Sequence, residues 1–339
     1  GYIATYAPSS AGNKELKWET SEQTNPGIDA RMLQSRLSVT IDYFKKNTKD
    51  LIVTGASPSY IMGLAASPIN AGDIENEGLE FELGWQDHIG KDFKYGIRAN
   101  ISTLRNEVTY IHPSLSNGID GATFHVNGAV TRFEVGHPAW YFYGYKYTGV
   151  DAQTGNPTFE DLNGDGQIGP EDKTEIGKGM ATANYGITLN ASWKGIDFLM
   201  FGSGAIGNDI YCLINRADYA TNRLTEFTNN RWTENNKNGS KPRAGATDYD
   251  KYLMSDAVVY DGSYFKIKQI QLGYTLPKSL LKKVAVESLR IYGSLEDFFT
   301  FTNYPGFDPE VTGVGSSLGI DKGAYPNSKK VVFGLSVTF

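Results

Sequence analysis

Twelve consecutive residues carry the sharpest chemical signal: Asp161-Leu162-Asn163-Gly164-Asp165-Gly166-Gln167-Ile168-Gly169-Pro170-Glu171-Asp172. Side-chain oxygens recur at the first, third and fifth positions, on Asp161, Asn163 and Asp165. Gly166 stands sixth, where a calcium loop turns sharply. Gln167 offers a backbone carbonyl at the seventh position and Asp172 a carboxylate at the twelfth. Hard oxygen donors at these offsets suit Ca2+. Such an ion stiffens a loop and catalyses nothing. The usual twelfth ligand is a bidentate Glu, so the shorter Asp172 weakens or alters the site. The competing reading is an Asx- and Gly-rich turn that binds nothing.

Other candidates point away from catalysis. His88, His112, His125 and His137 are scattered without ligand spacing, as solvated loop or turn residues would be. Cys212 is the single cysteine, which excludes an internal disulfide and a cysteine metal site. It reads as a buried or loop thiol, because nothing beside it supplies a base. Glu75, Glu77, Glu80 and Glu82 cluster on and before one strand, but a glycosidase needs two facing carboxylates at a set separation. No nucleophile elbow, phosphate loop or zinc helix occurs. The run Trp140, Tyr141, Phe142, Tyr143, Tyr145, Tyr147 could stack on sugar rings. It could equally be a packed hairpin. A net charge of −6 gives no basic patch for nucleic acid.

These residues must be positioned by strands. The last stretch, Lys330 to Phe339, alternates: Val331, Phe333, Leu335, Val337 and Phe339 share one face, and Lys330, Gly334, Ser336 and Thr338 the other. About ten residues is the length a tilted strand needs to cross a bilayer. Similar alternation marks 36–53, 79–86, 93–102, 185–201, 264–276 and 289–295. Residues 14–32 read as two half-strands or one bulged strand, interrupted at Pro26-Gly27. Phe265 and Ile267 fall out of phase with Ile270, Leu272 and Tyr274, which predicts a bulge. Apolar residues at roughly helical spacing between Ile210 and Phe227 predict short helices there. At 40% hydrophobic content there is no apolar run long enough for a membrane helix. The 21 Tyr and 17 Phe suit the aromatic girdles of a membrane barrel.

Connections alternate in length. Short turns fall near 33–36, 87–92, 194–195 and 277–285; long loops fall near 54–73, 105–183, 207–257 and 303–328. A transmembrane barrel does this, with short periplasmic turns and long extracellular loops. The terminal strand then runs from outside to periplasm and puts Phe339 at the periplasmic rim. About nine membrane strands result, with the Tyr141–Tyr147 run as an extra strand within a loop. Nine is odd, whereas bacterial single-chain barrels have even numbers. The chain, opening at Gly1-Tyr2-Ile3 without a leader, therefore reads as part of a larger barrel. A wet lumen explains Glu80 and Glu82.

The chain resembles the C-terminal half of SusC/RagA-like TonB-dependent transporters of Bacteroidota outer membranes. The resemblance is carried, in order, by Leu16-Lys17-Trp18-Glu19-Thr20, Ile74-Glu75-Asn76-Glu77-Gly78-Leu79-Glu80 and Asp161-Leu162-Asn163-Gly164-Asp165-Gly166. It continues through Ser263-Tyr264-Phe265-Lys266-Ile267-Lys268, Leu272-Gly273-Tyr274-Thr275-Leu276-Pro277 and Tyr304-Pro305-Gly306-Phe307-Asp308-Pro309-Glu310. It implies an all-β antiparallel transmembrane barrel of about 22 strands, of which these are the last nine or so. It implies active, TonB-energised import of oligomeric nutrients, glycan or peptide, across a Gram-negative outer membrane. It also implies an N-terminal plug and barrel half, a TonB box and a SusD-like surface lipoprotein, with lipid or lipopolysaccharide around the barrel. None of these partners is in this sequence. Trp140, Tyr141 and Tyr143 are then candidate cargo contacts. Phe333, Leu335, Val337 and Phe339 become a barrel-closing and assembly signal, and one edge of this strand should pair with residues outside the 339. The rival readings are a passive porin or surface adhesin barrel and a soluble carbohydrate-binding β-protein.

Overall fold

The computed structural model describes residues 12–54, 67–123, 128–214, 224–281, 286–311 and 313–339. One antiparallel sheet of eleven ladder segments forms a wall. The segments Thr20–Thr24 and Gly27–Met32 lie along the same neighbour and together make β1. Next come β2 (Leu37–Thr54), β3 (Pro68–Ile89), β4 (Phe93–Thr103), β5 (Ala183–Trp193) and β6 (Ile196–Ile206). The wall ends with β7 (Tyr264–Thr275), β8 (Ser288–Thr302) and β9 (Lys330–Thr338). Arg105–Ile111 continues the line of β4 against β3. The wall is thus nine strands wide, in chain order from β1 to β9.

Paired residues share a face, so the register sorts the side chains. One row runs Leu37, Trp85, Ile97, Leu189, Met200, Ile270, Leu295, Val331. This face is apolar, and it is open: Leu272 is 58% exposed and Phe333 84%. The opposite face carries Thr40, Glu82, Asn100, Gly186 and Ser203 in neighbouring positions. A soluble sandwich would pack the apolar face onto a second sheet; among the described residues no strand covers it. Above Tyr43 and Leu79 the apolar face turns charged, with Lys45 on Glu75, Lys49 on Glu22, and Arg105 between Glu77 and Glu107. The apolar band is therefore bounded along the strands.

The wall settles several sequence expectations. β1 is one strand without a bulge: Thr24 pairs Lys45, Gly27 pairs Asp42, and the Tyr43 amide donates to the Pro26 carbonyl in the same register. Proline costs the ladder one donor and no more. The expected bulge in β7 is present against β6, with Lys268 as the extra residue between Ile267 and Gln269; against β8 the extra residue lies in β8, where Asp297 and Phe298 stand opposite Lys268. Leu16 to Glu19 lie outside the ladder; the side chain of Asn70 holds the Lys17 backbone, and the Glu19 carboxylate accepts from the Ile52 amide. The loop expected over 54–73 is shorter, because Thr54 still pairs with Pro68; residues 55–66 lie outside the described set. The connections do alternate: 33–36, 90–92, 194–195 and 276–287 at the turn end, and the long connections at the loop end.

At the loop end the long connections fold together. Tyr141–Gly144 is the second strand of a four-stranded sheet, flanked by Thr131–Phe133 and Thr174–Gly177. Asp209–Cys212 pairs antiparallel with Val259–Asp261 and parallel with Ile320–Asp321. Their apolar side chains share one core, with Phe142, Tyr211, Phe227, Tyr252, Tyr304 and Ile320 all buried. Helices expected from Ile210 onward are absent at that point. Ile210, Tyr211 and Cys212 are buried on both sides of a central strand, and a fully buried strand loses the alternation that would mark it. Helices do occur at Thr225–Asn229 and Tyr249–Leu253, one turn or so each; Ala217 lies outside the described residues.

Candidate functional site

The polar wall face is where a solute could run. Asp42 and Glu80 stand opposite each other in register, with Thr40 opposite Glu82 beside them. Ser102 donates to Glu80 at 3.1 Å, and Arg98 reaches Glu82 at 3.3 Å. At the turn end Arg36 reaches Asp87 at 3.2 Å, although register with Tyr95 puts Asp87 on the apolar side. A hollow of about 380 Å³ there is lined by Arg31, Arg36, Arg98 and Asn190. A second, of about 510 Å³, includes Asp42, Glu80, Glu82, Asn100 and Tyr264. Period-two alternation set these polar groups in rows; strand register made the rows into a surface.

The 161–172 loop is closed by its own backbone. Asp161 accepts from the amides of Gly164 and Gly166 at 2.7 and 2.8 Å, and Asp165 from Gln167 at 2.7 Å. Asn163 accepts from the Asp165 amide and donates to the Asp165 carboxylate. Asp172 is fully buried. Its carboxylate accepts from Gly169 at 2.7 Å, Leu162 at 2.8 Å and Asn163 at 3.3 Å. The Gly169 amide, with those of Leu162 and Asn163, holds the Asp172 carboxyl below its ordinary range. Gly164 and Gly166 have φ of 74° and 78°, the left-handed turns that such winding needs. Among the described residues no group of three His, Cys, Asp or Glu side chains converges as a metal would require. As the chain is arranged here, Asp172 turns to the loop's amides and does not join Asp161 and Asp165 as a third ligand.

The aromatic run is a packing element. Tyr141 is 2% exposed, donates to Glu134 at 2.7 Å and stacks on His137. Its ring offers no open face for a sugar. Tyr143 is half-buried, with the Arg132 guanidinium 4.4 Å from its ring centre. Trp140, also half-buried, lies against Phe133. His137 meets Glu175 at 2.6 Å; His125 lies outside the described residues. Cys212 is buried, and burial pushes its thiol up to about 11, so it is inert at neutral pH. At the far end of the wall Phe333, Leu335 and Val337 all stand on the apolar face of β9, and by the same alternation Phe339 follows them.

One cluster escaped the sequence reading. Lys266 of β7 is 1% exposed and stands on the polar face between Ser203 and Thr300. Its Nζ meets both oxygens of Asp308 at 2.9 Å and Glu310 Oε2 at 2.7 Å. Lys268 also binds Glu310, at 2.5 and 2.6 Å, and comes within 3.6 Å of Asp297. Burial opposes ionisation of Asp308 and Glu310, but the lysine contacts outweigh it and hold both carboxyls below their ordinary values. Asn327 completes the cluster, its amide on Asp308 and its side chain on Glu310. The signal lay in the Tyr304–Glu310 stretch, whose two carboxylates flank a proline. Its lysine partners are some forty residues away, and only the fold brings them together.

The model of the family described as TonB dependent receptor-like, beta-barrel matches residues 2–208. Among curated relatives, the TonB-dependent receptor SusC of Bacteroides thetaiotaomicron is 30% identical, over 100% of this chain and 34% of that protein. The TonB-dependent receptor P3 of Formosa agariphila is 30% identical, over 96% of this chain and 35% of that protein. A solved structure of the RagAB peptide transporter superposes with a TM-score of 0.80 at 27% identity, covering 98% of this chain and 36% of that chain. The chain spans about a third of the length of these relatives.

Proposed function

This chain belongs to the TonB-dependent receptor-like β-barrel family, and on that premise we propose that it supplies wall strands and outer loops to an active importer of oligomeric nutrients in a Gram-negative outer membrane. The observation that carries the proposal is the two-faced wall. An open apolar band needs lipid; a polar opposite face, lined by Asp42, Glu80, Glu82 and Arg98, suits a wet lumen. The loop end is extracellular in this reading, and the turn end periplasmic.

Kinship with SusC and with the RagAB peptide transporter supports the partners. These are a plug with its TonB box, TonB as the source of energy, and a SusD-like lipoprotein over the loops. The RagAB likeness makes oligopeptide one cargo class, and oligosaccharide is the other. Cargo contact within the aromatic run falls to Trp140 and Tyr143, because Tyr141 is buried. Calcium at 161–172 rests on the spacing of Asp161, Asn163, Asp165, Gln167 and Asp172 alone. Assembly through Phe333, Leu335, Val337 and Phe339 rests on their alignment along the last strand.

The test uses cells with and without the full-length receptor. Uptake of a fluorophore-labelled oligopeptide pool and of a labelled oligosaccharide pool is followed. The expected result is receptor-dependent uptake of one pool that stops when a protonophore collapses the energy supply. Uptake that persists with protonophore would instead mean a passive pore.

A further inference from the structure

Lys266 stands on the polar face of the wall, yet it is 1% exposed. Its row across the strands holds Glu82, Asn100, Gly186, Ser203 and Thr300. The row on one side of it holds Phe81, Ile101, Tyr185, Phe265 and Phe301. The row on the other side holds Leu83, Ala99, Ile187, Ile267 and Phe299. Side chains in these two rows point to the opposite face of the sheet. There Phe299 and Phe301 are both exposed. At the depth of Lys266 the other side of the wall is therefore still the open apolar band. Whatever buries Lys266 lies behind that band, against the polar face.

The cover is the last long connection, folded inward. Asp308 and Glu310 bind the Lys266 ammonium from its first limb, and Asn327 joins both carboxylates from its second. Lys268, the extra residue of β7 against β6, holds Glu310 at a second point. Pro309 is buried between the two carboxylates. A buried ammonium that lost these partners would be left uncompensated, so the contact is firm. The other end of the segment is fixed as well. Tyr304 is buried in the loop core and donates to Asp321 at 2.6 Å. A Cβ at Gly306 would collide with the Tyr304 ring, so glycine lets the chain fold back over it. The Tyr264 hydroxyl donates to Glu310 at 3.2 Å, and Tyr264 also lines the hollow of about 510 Å³ that holds Asp42, Glu80 and Glu82. The segment borders that hollow. We propose that the 304–310 segment is a strap folded into the outer mouth of the lumen beside β7, where it limits the bulk of the cargo that enters, and that Lys266 and Lys268 are the residues that position it. This rests on the import reading above, which makes the polar face the lumen.

The experiment uses cells with the full-length receptor and whichever oligomer pool the wild type imports, tagged with fluorescent polyethylene glycol labels of increasing size. The wild type should import the smaller labels and stop at a cutoff. Asp308→Lys combined with Glu310→Lys sets four like charges against one another and should release the strap. Release is read as protease cleavage within 304–310 that the wild type resists. The cutoff should then move to labels several-fold larger, at an unchanged receptor level. Adding Lys266→Glu and Lys268→Glu to that variant pairs opposite charges again and should restore the wild-type cutoff. Lys266→Met should raise the cutoff too; if it fails to assemble, the loop-side variant carries the test. The same cutoff after release would overturn the proposal. So would a strap that stays uncut under charge reversal, because the lysines would not be what holds it. A wild type that imports every label size equally would also overturn it. Absence of energy-dependent uptake of the smallest label by the wild type would instead sink the import reading.

Discussion

At the scale of single residues, Asp172 is the pin of its loop. Three backbone amides converge on one buried carboxylate, and each prefers it ionised. Its lowered pKa sets the sign of the pH effect. The contribution is complete above the carboxyl's ordinary value of 3.8 and is lost as pH falls below it. Limited proteolysis of the full-length receptor should therefore leave 161–172 intact at neutral pH and begin to cut it only once pH falls well below 3.8. Asp172→Ala should be cut at both. Calcium is a separate question with its own measurement. If calorimetric titration of Ca2+ gives a binding isotherm that Asp161→Ala abolishes, the spacing of the donors has told the truth. A flat titration means that the loop is an Asx turn held by its own amides. Gly306 makes a third local case. Gly306→Val must expel the Tyr304 ring, an overpacking cost of about 1–3 kcal/mol, visible as earlier thermal loss of the loop body's tyrosine signal.

Among the elements, the strands near the C-terminus carry the most testable geometry. Arg290 of β8 reaches across β7 to Asp197 of β6, with Nε to Oδ2 at 2.9 Å. It can do so because the residue between them is Gly273, where a Cβ would touch both partners. Gly273→Val should break this three-strand tie and destabilise the wall by about 1–3 kcal/mol. The readout is a lower temperature at which the folded band of the full-length receptor disappears on a gel. β9 offers the other test. Removing Phe339 should leave the register of Lys330–Thr338 against β8 untouched, yet lower the amount inserted into the outer membrane several-fold. Normal insertion without Phe339 would refute an assembly role for the terminal ring.

The whole molecule is a sheet with two open edges. β1 pairs only with β2, and β9 only with β8, among the described residues. A sheet edge in lipid leaves backbone donors and acceptors unsatisfied. Among the described residues β9 does not close against β1 as a small barrel, and we propose that its free edge pairs with a strand outside the 339. The 339-residue chain expressed alone should consequently fail to give a protease-protected, heat-modifiable barrel in liposomes, while the full-length receptor gives one. The loop end forms a second mass, with its own core drawn from three separate connections. Its attachment to the wall includes the Lys266 cluster, which ties the 308–310 segment to β7.

What the amino-acid sequence determined by itself was whatever repeats every two residues. Alternation along Leu79–Trp85, Phe93–Ile101 and Lys330–Phe339 dictated strands, and the spacing of the turns dictated nine of them with long connections at one end. These are local signals, written within a few residues of where they act. Tertiary structure alone decided what the long connections do. The sequence allowed Tyr141 to be a cargo platform, and burial against Glu134 and His137 made it core. Ile210–Cys212 looked helical because a strand buried on both faces has no polar side to alternate with. Lys266 read as one more polar residue in a strand; its meaning came from Asp308 and Glu310, brought over it by a loop whose course no local pattern describes. Period-two contacts are specified by neighbours in the chain, whereas a buried ion cluster is specified only when distant segments meet and exclude water together.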